Sequence, residues 1–90
     1  FPYTTLFRSL RGTVALIQAA GYQVGNVDAT IICQSPKMAP YIPEMIKNIA
    51  SDLGISASHV NIKAKTNEGL GHLGRGEGIA VHAIALIHKD

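Results

Sequence analysis

The sequence lacks several features that would assign it to a particular class of protein. Its 90 residues contain one cysteine and no tryptophan, and only 16% of them are charged. With Cys33 alone no internal disulfide can form, which suits a reducing compartment. The apolar runs fall short of the roughly 18–20 residues that span a bilayer, and a basic head followed by an apolar signal segment is missing. We therefore expect neither a disulfide framework nor a membrane partner.

The charge balance is weak as well. Eight basic and six acidic side chains give a formal net charge of +2, and the basic residues do not cluster. Proteins that bind nucleic acid usually carry a basic patch or stripe, so we expect no nucleic-acid partner. The 47% hydrophobic content fits one small globular domain instead. A chain this short buries only about 60–65% of its unfolded surface, so it gains stability from association.

The spacing of apolar residues predicts two helices and three strands. A glycine follows each helix, Gly21 and Gly54, in the position that ends helices. Pro36 and Pro40 mark a loop after the first strand. The order α-β-α-β-β predicts an α/β (α+β) sandwich with helices packed on one face of a mixed β-sheet. The predicted helices cover residues 10–20 and 42–53, and the predicted strands cover residues 23–34, 60–65 and 79–87.

The first nine residues, FPYTTLFRS, have neither helical nor strand periodicity. They also resemble the translation of a sequencing-library adapter. We interpret residues 1–9 as a sequencing or cloning artefact and residues 10–90 as the domain. A genuine N-terminal tail is the alternative.

The glycine-rich segment after the second predicted strand allows several interpretations. Residues 69–74 match the dinucleotide-binding pattern G-x-G-x-x-G, but a strand is predicted to follow, so no helix N-terminus can hold a pyrophosphate. Arg75, between glycines, can bind a phosphate, or it can pair with Glu77 in a solvated turn. Thr66 and Glu68 follow a strand, where they can hold a phosphate and a metal ion, or they can form an ordinary exit from the strand.

Neither the cysteine nor the histidines form a recognisable site. Cys33 lies in a predicted strand, which favours a buried apolar thiol over a nucleophile. The four histidines have no spacing typical of metal ligands. We expect no metal site built wholly within this chain.

Three stretches in one order carry a resemblance to a known family. They are residues 25–32 (GNVDATII), residues 36–43 (PKMAPYIP) and residues 70–80 (LGHLGRGEGIA). Together they closely resemble the 2-C-methyl-D-erythritol 2,4-cyclodiphosphate synthase family of the non-mevalonate isoprenoid pathway. The similarity runs from about Leu10 to Asp90.

The resemblance implies an enzyme, a phosphorus–oxygen lyase, that works as a homotrimer with active sites between subunits. The family's small-molecule substrate is 4-CDP-2-C-methyl-D-erythritol 2-phosphate. Its 2-phosphate attacks the β-phosphate, CMP leaves, and a cyclic diphosphate forms. The implied cofactors are zinc and a second divalent metal, magnesium or manganese. The implied location is the cytoplasm of a bacterium or the plastid of a eukaryote.

The resemblance also implies roles for individual residues. Thr66 matches the family's transition-state-stabilising threonine, and Glu68 matches the carboxylate that holds the second metal. Arg75 and Glu77 match the phosphate-binding arginine and its acidic neighbour near the trimer axis. The loop from Cys33 to Ala39 matches the segment that cradles the cytosine and its ribose, largely through backbone groups. The full expected substrate-binding set is Cys33, Gln34, Ser35, Pro36, Lys37, Met38, Ala39, Lys65, Thr66, Asn67, Glu68, His72 and Arg75.

The sequence also departs from the family's pattern. Lys65 stands where threonine is common, Cys33 where alanine is common, and His72 where an aromatic residue is common. The family's zinc ligands, an Asp-x-His pair and a further histidine in the N-terminal half, have no counterpart here. We therefore expect residues 10–90 to be the C-terminal half of a cyclodiphosphate synthase, inactive alone. The alternative is a non-catalytic module that binds a cytidine nucleotide or an isoprenoid phosphate.

Overall fold

A computed structural model describes residues 3–90 of the chain, with side chains from Ser9 onward. The α-β-α-β-β order predicted from the sequence is confirmed, with one further helical turn, α3, inside the glycine-rich segment. Short 3₁₀ turns precede α2 and β2. The elements are α1 (Tyr3–Ala19), β1 (Tyr22–Ile32), α2 (Ile42–Leu53), β2 (Val60–Lys65), α3 (Gly71–Gly74) and β3 (Ala80–Lys89).

The three described strands form one mixed sheet in the order β2-β1-β3. β1 runs parallel to β2, with Val27 opposite Val60 and Ile32 opposite Lys65. Parallel neighbours need a crossover connection, and α2 supplies it. β3 returns antiparallel on the other side of β1. The carboxyl ends of β1 and β2 therefore meet at one edge of the sheet.

The core lies between the helices and the β1–β2 half of the sheet. Alternation puts Val60 and Ile62 of β2 on the face toward the helices, where both are buried. The predicted apolar stripe of α2 packs against them, which confirms the amphipathic helix. The buried cluster consists of Val14, Val24, Ala50, Leu53, Val60 and Ile62.

Both long helices are followed by a glycine in the left-handed conformation, as the sequence predicts. Gly54 has φ 70°, and its N–H donates to the carbonyls of Ala50 and Ser51 at the end of α2. Gly21 follows α1 with φ 86°. A residue with a Cβ is strained at such angles, whereas glycine adopts them freely. No helix within residues 3–90 is long and apolar enough to cross a membrane.

The start of α1 differs from the prediction. The helix begins at Tyr3 rather than Leu10. Residues 3–9 contain no proline or glycine, so nothing in their backbone stops a helix that continues from Leu10 toward the N-terminus. Periodicity alone missed this extension. The origin of residues 1–9 stays a prediction, and Phe1 and Pro2 lie outside the described residues.

The pairing of β1 with β3 contains a β-bulge at Gly25. Val24 lies opposite Ile87 and Asn26 lies opposite Leu86, so β1 holds one extra residue there. A Cβ on Gly25 would lie 3.4 Å from the Leu86 carbonyl oxygen, at the limit of ordinary van der Waals contact. Beyond the bulge, β3 is the edge strand, and among the described residues no helix covers it.

Candidate functional site

A cavity of about 200 Å³ opens at the edge where β1 and β2 end. In open sheets with parallel strands, ligands bind beyond the carboxyl ends of the strands. The structure thus brings together six of the residues expected to bind substrate. The cavity is lined by Cys33, Lys37, Met38, Ala39, Ala64, Lys65 and Thr66.

The lining of this cavity favours an anion. Lys37 and Lys65 contribute two ammonium groups, and no acidic residue is among the lining residues. Thr66 adds a hydroxyl that can donate a hydrogen bond. A third lysine of the same region, Lys63, pairs with Asp28 on the face of the sheet that the helices do not cover. The charge of the cavity therefore comes from Lys37 and Lys65.

Cys33 forms the inner wall of the cavity. β1 ends at Ile32, so Cys33 lies just past the strand rather than within it, although its N–H still donates to the Lys65 carbonyl at 3.0 Å. The residue is 4% exposed, and its thiol donates to the Ser35 carbonyl at 3.3 Å. This confirms the interpretation as a buried thiol. The Ser35–Pro36 peptide bond that follows is cis.

Thr66 to Gly69 form a tight turn beside the cavity. The Thr66 hydroxyl oxygen accepts the N–H of Glu68 at 3.3 Å. The amide oxygen of Gln34 accepts the N–H of Gly69, also at 3.3 Å. Asn67 closes the turn through its side-chain amide, which donates to the Leu70 carbonyl at 2.8 Å. Glu68 has φ 53°, a left-handed backbone conformation that residues other than glycine rarely adopt.

The glycine-rich segment packs onto this turn. A Cβ on Gly74 would lie 2.7 Å from the Cα of Gly69, closer than real Cβ contacts allow, so only glycine fits there. Arg75 and Glu77 form an exposed ion pair in this segment, and whether Arg75 binds a phosphate stays a prediction. α3 is a single turn, too short to bind a pyrophosphate at its N-terminus. Glu77 and Ser35 line a second cavity of about 340 Å³ rather than the first.

The expected site residues do not all meet in one place. Arg75, Glu77 and His72 lie outside the lining of the first cavity. Within residues 3–90, no three His, Cys, Asp or Glu side chains lie close enough together to hold a metal ion.

Two polar links that join the β1 and β2 regions are not evident from the sequence. One is the hydrogen bond between Gln34 and Gly69, which joins residues 35 positions apart. The other is a cluster on the uncovered face of the sheet, where Lys63 and Asn61 both donate to the Asp28 carboxylate. The hydrogen bond from Lys63 holds the pKa of Asp28 below its ordinary value of 3.8. Alternation placed these side chains on one face, but only the strand register brings them into contact.

Comparison with known proteins adds relatives along almost the whole chain. The YgbB family model matches residues 7–88. A 2-C-methyl-D-erythritol 2,4-cyclodiphosphate synthase from Ectopseudomonas mendocina is 59% identical over 80 residues, 89% of this chain and 51% of the relative. A synthase of the same name from Bordetella avium is 59% identical over 81 residues, 90% of this chain and 50% of the relative. The chain thus spans about half the length of the curated relatives it matches.

Solved structures of proteins with the same name or activity also superpose on the chain. The Plasmodium vivax 2C-methyl-D-erythritol 2,4-cyclodiphosphate synthase superposes with a TM-score of 0.89 at 38% identity, covering 93% of this chain and 56% of that one. Plasmodium falciparum IspF, solved as a CDP complex, superposes with a TM-score of 0.84 at 38% identity, covering 89% of this chain and 51% of that one.

Proposed function

The chain belongs to the YgbB family, and we propose that it is the nucleotide-binding, C-terminal half of a 2-C-methyl-D-erythritol 2,4-cyclodiphosphate synthase in isoprenoid biosynthesis. The observation that carries the proposal is the cavity at the ends of β1 and β2, because expected substrate-binding residues from two separate loops line it together. A relative with this fold has been solved as a CDP complex, which supports a cytidine diphosphate group as the occupant.

In the proposed reaction, an oxygen of the substrate's 2-phosphate attacks the β-phosphorus of its cytidine diphosphate group. The bond between this phosphorus and the bridging oxygen breaks, and CMP leaves with that oxygen. No protein nucleophile is needed, so catalysis depends on positioning and on neutralising charge. Lys37 and Lys65 neutralise the diphosphate, and the Thr66 hydroxyl donates to an oxygen whose charge grows in the transition state.

The remaining expected residues have roles around the reacting phosphates. The loop from Cys33 to Ala39 binds the cytosine and ribose through its backbone groups. Asn67 shapes the turn that presents Glu68, and His72 lines the substrate cavity of the complete enzyme. Arg75 and Glu77 lie near the axis of a homotrimer whose active sites form between subunits. The uncovered, apolar β3 supports such an assembly, because exposed strands of this kind mark interfaces.

The family's implied metals, zinc with magnesium or manganese, do not fit the described residues alone. Glu68 supplies one carboxylate in the turn beside the cavity, and residues 3–90 hold no cluster of three ligand side chains. An ion bound at Glu68 therefore takes its other ligands from outside these residues.

Calorimetric titration of the 90-residue chain with CDP tests the proposed cavity. Replacing Lys37 or Lys65 by alanine is expected to weaken CDP binding about tenfold, because each removes a charge-assisted hydrogen bond. Lys47→Ala is the matched control, since Lys47 is an exposed lysine of α2 outside the cavity lining. Equal affinities for all three variants would contradict the site.

A second experiment separates the enzyme from a binding module. The half of the Ectopseudomonas mendocina synthase that this chain does not match is joined to the chain in the order of the relative's sequence. Chromatography measures the release of CMP. We expect the joined protein to release CMP and the 90-residue chain alone to release none. The alternative, a non-catalytic module that binds a cytidine nucleotide or an isoprenoid phosphate, is favoured by the lack of a metal-ligand cluster in residues 3–90. CDP binding without CMP release by the joined protein would support this module.

A further inference from the structure

We propose that Gln34 is a positioning residue that holds the Glu68–Gly69 peptide and makes its orientation depend on occupancy of the cavity. Gln34 acts here through its side chain, apart from any backbone contact to the nucleotide. This inference rests on the proposed function, because it takes a cytidine diphosphate group as the occupant.

Gln34 belongs to one loop and reaches into another. Its backbone follows Cys33, whose side chain lines the cavity and whose N–H is fixed to the Lys65 carbonyl. Its half-buried side chain leaves this loop and accepts the N–H of Gly69 at 3.3 Å. The link therefore joins the loop that follows β1 to the turn that follows β2. A movement of the first loop is transmitted to the second.

The peptide that Gln34 holds is an unusual one. Glu68 is the one non-glycine residue with a positive φ in the described part of the chain, and Gly69 follows with φ 75°. Such backbone conformations persist only when their surroundings hold them. The two successive N–H groups are held from two directions, by the Thr66 hydroxyl and by the Gln34 amide oxygen. Gly74 packs against Gly69 from a third side.

Both side chains that hold this turn, Thr66 at the Glu68 N–H and Gln34 at the Gly69 N–H, are tied to the cavity. Thr66 lines it directly, and Gln34 extends from the loop that forms its wall. A nucleotide that orders the loop after β1 therefore also orders the Gln34 anchor. The exposed Glu68 carboxylate projects from the anchored peptide, so its direction is fixed when the cavity is filled. Gln34 thus couples nucleotide binding to the placement of Glu68.

Hydrogen exchange of the Gly69 amide, measured by NMR on the 90-residue chain with and without CDP, tests this coupling. Gln34→Leu keeps the bulk of the side chain and removes the acceptor, whereas Gln34→Glu retains an oxygen acceptor at the same reach. We expect Gly69 to exchange about fivefold faster in Gln34→Leu, since one hydrogen bond is lost. CDP is expected to slow Gly69 exchange in the wild type and in Gln34→Glu but not in Gln34→Leu.

Amides of β1 and β2 serve as the control for global stability. If they also exchange faster in Gln34→Leu, Gln34→Asn replaces it, because it keeps an amide but shortens the reach. Equal Gly69 exchange in wild type and the variants overturns the inference. If CDP protects the loop after β1 and leaves Gly69 unchanged, the coupling is wrong while the proposed function stands. If CDP protects no amide, the proposed function fails and the coupling with it, while faster Gly69 exchange in Gln34→Leu still supports the anchor.

Discussion

β2 and β3 flank the same central strand and carry similar apolar residues, yet they have opposite surroundings. Val60 and Ile62 of β2 are 5% and 6% exposed, whereas Val81 and Ile87 of β3, which lie on the same helix-facing side of the sheet, are 58% and 44% exposed. We call the half of the sheet formed by β1 and β2 with the helices the covered half, and β3 the open half. An apolar strand pattern therefore predicts a strand, but its burial depends on which other elements cover it.

The connections between the strands explain the difference. α2 is the crossover that joins the parallel strands β1 and β2, so it must lie on a face of that half. β3 follows the glycine-rich segment instead and pairs with β1 without bringing a helix along. Its long apolar edge is available to a further element or to another chain. The stability of the described chain is therefore concentrated in the covered half.

The strongest test of this comparison replaces one isoleucine in each half. Ile62→Ala is expected to lower the free energy of unfolding by about 2–4 kcal/mol, because it removes buried methyl groups and leaves a cavity in the core. Ile84→Ala, the same change in the open half, is expected to shift it by less than about 0.5 kcal/mol. Urea unfolding of the chain, followed by circular dichroism, measures both.

If Ile62→Ala does not fold, Ile62→Val gives a milder loss of about 1 kcal/mol that can still be measured against Ile84→Val.

Two results for Ile84→Ala would change the comparison between the halves. A large loss for Ile84→Ala that grows with protein concentration would show that a second copy covers β3 in solution. A large loss independent of concentration would contradict the comparison itself.

A smaller effect is expected from two glycines with nearly the same backbone angle. Gly54 has φ 70° at the end of α2, and Gly76 has φ 74° in the loop before β3. Neither has an atom within 4 Å of an added Cβ, so alanine at either site is strained only by its backbone conformation. Gly54→Ala is expected to cost about 1 kcal/mol. Gly76→Ala is expected to cost less than about 0.5 kcal/mol, because its exposed loop can rearrange without uncovering the core.

The same urea titration measures this pair. Equal losses would mean that the loop before β3 is as firmly coupled to global unfolding as the end of α2. The comparison between the halves would then hold for the strands but not for their connections.

The smallest effect concerns acid. The pKa of Asp28 is lowered in the folded chain, mainly by the hydrogen bond from Lys63. The unfolded chain therefore binds the proton more readily, and the pair contributes stability above pH 3.8, the ordinary pKa, that is lost as pH falls through the lowered value. Asp28→Asn is expected to flatten the fall of the melting temperature between pH 5 and pH 2, and added salt is expected to reduce the difference because the pair is exposed.

Thr30→Ser, a neighbouring change on β1 without a charge, is the control for the acid series. An acid dependence that is the same in Asp28→Asn and wild type would show that other carboxylates determine it. The polar cluster would then add nothing measurable to the pairing of β1 with β2.

Much of the fold could be predicted from residues whose local chemistry is decisive. Gly54 and Pro43 set the ends of α2, and the alternation from Val60 to Lys65 predicted β2 with its correct bounds. The start of α1 could not be predicted, because residues 3–9 carry no apolar period although nothing in them stops a helix. The exposure of Ile84 could not be predicted either, since it depends on elements far away in the sequence.

The candidate site could likewise be predicted only in part. The family resemblance indicated Lys37, Lys65 and Thr66, and the structure places all three around one cavity. Their substrate contacts stay predictions. Resemblance did not indicate the reach of Gln34 to Gly69, because a hydrogen bond between distant residues depends on how two loops fold together. Nor did the sequence show the left-handed backbone of Glu68, which neighbouring groups impose on it.

Gly25 has a consequence for how this sequence tolerates insertions and deletions. Side chains alternate along a strand, so Val24 and Val27, an odd number of positions apart, would normally point to opposite faces. The extra residue at Gly25 resets the phase, and both valines reach the helix-facing side while Asn26 and Asp28 stay on the other. Deleting this one glycine would leave Val24 and Val27 two positions apart, so regular alternation would keep both on the helix-facing side, whereas a single deletion elsewhere in β1, away from the bulge, would turn polar side chains inward. Which face a side chain of β1 occupies therefore depends on the number of residues between it and Gly25, where the alternation changes phase.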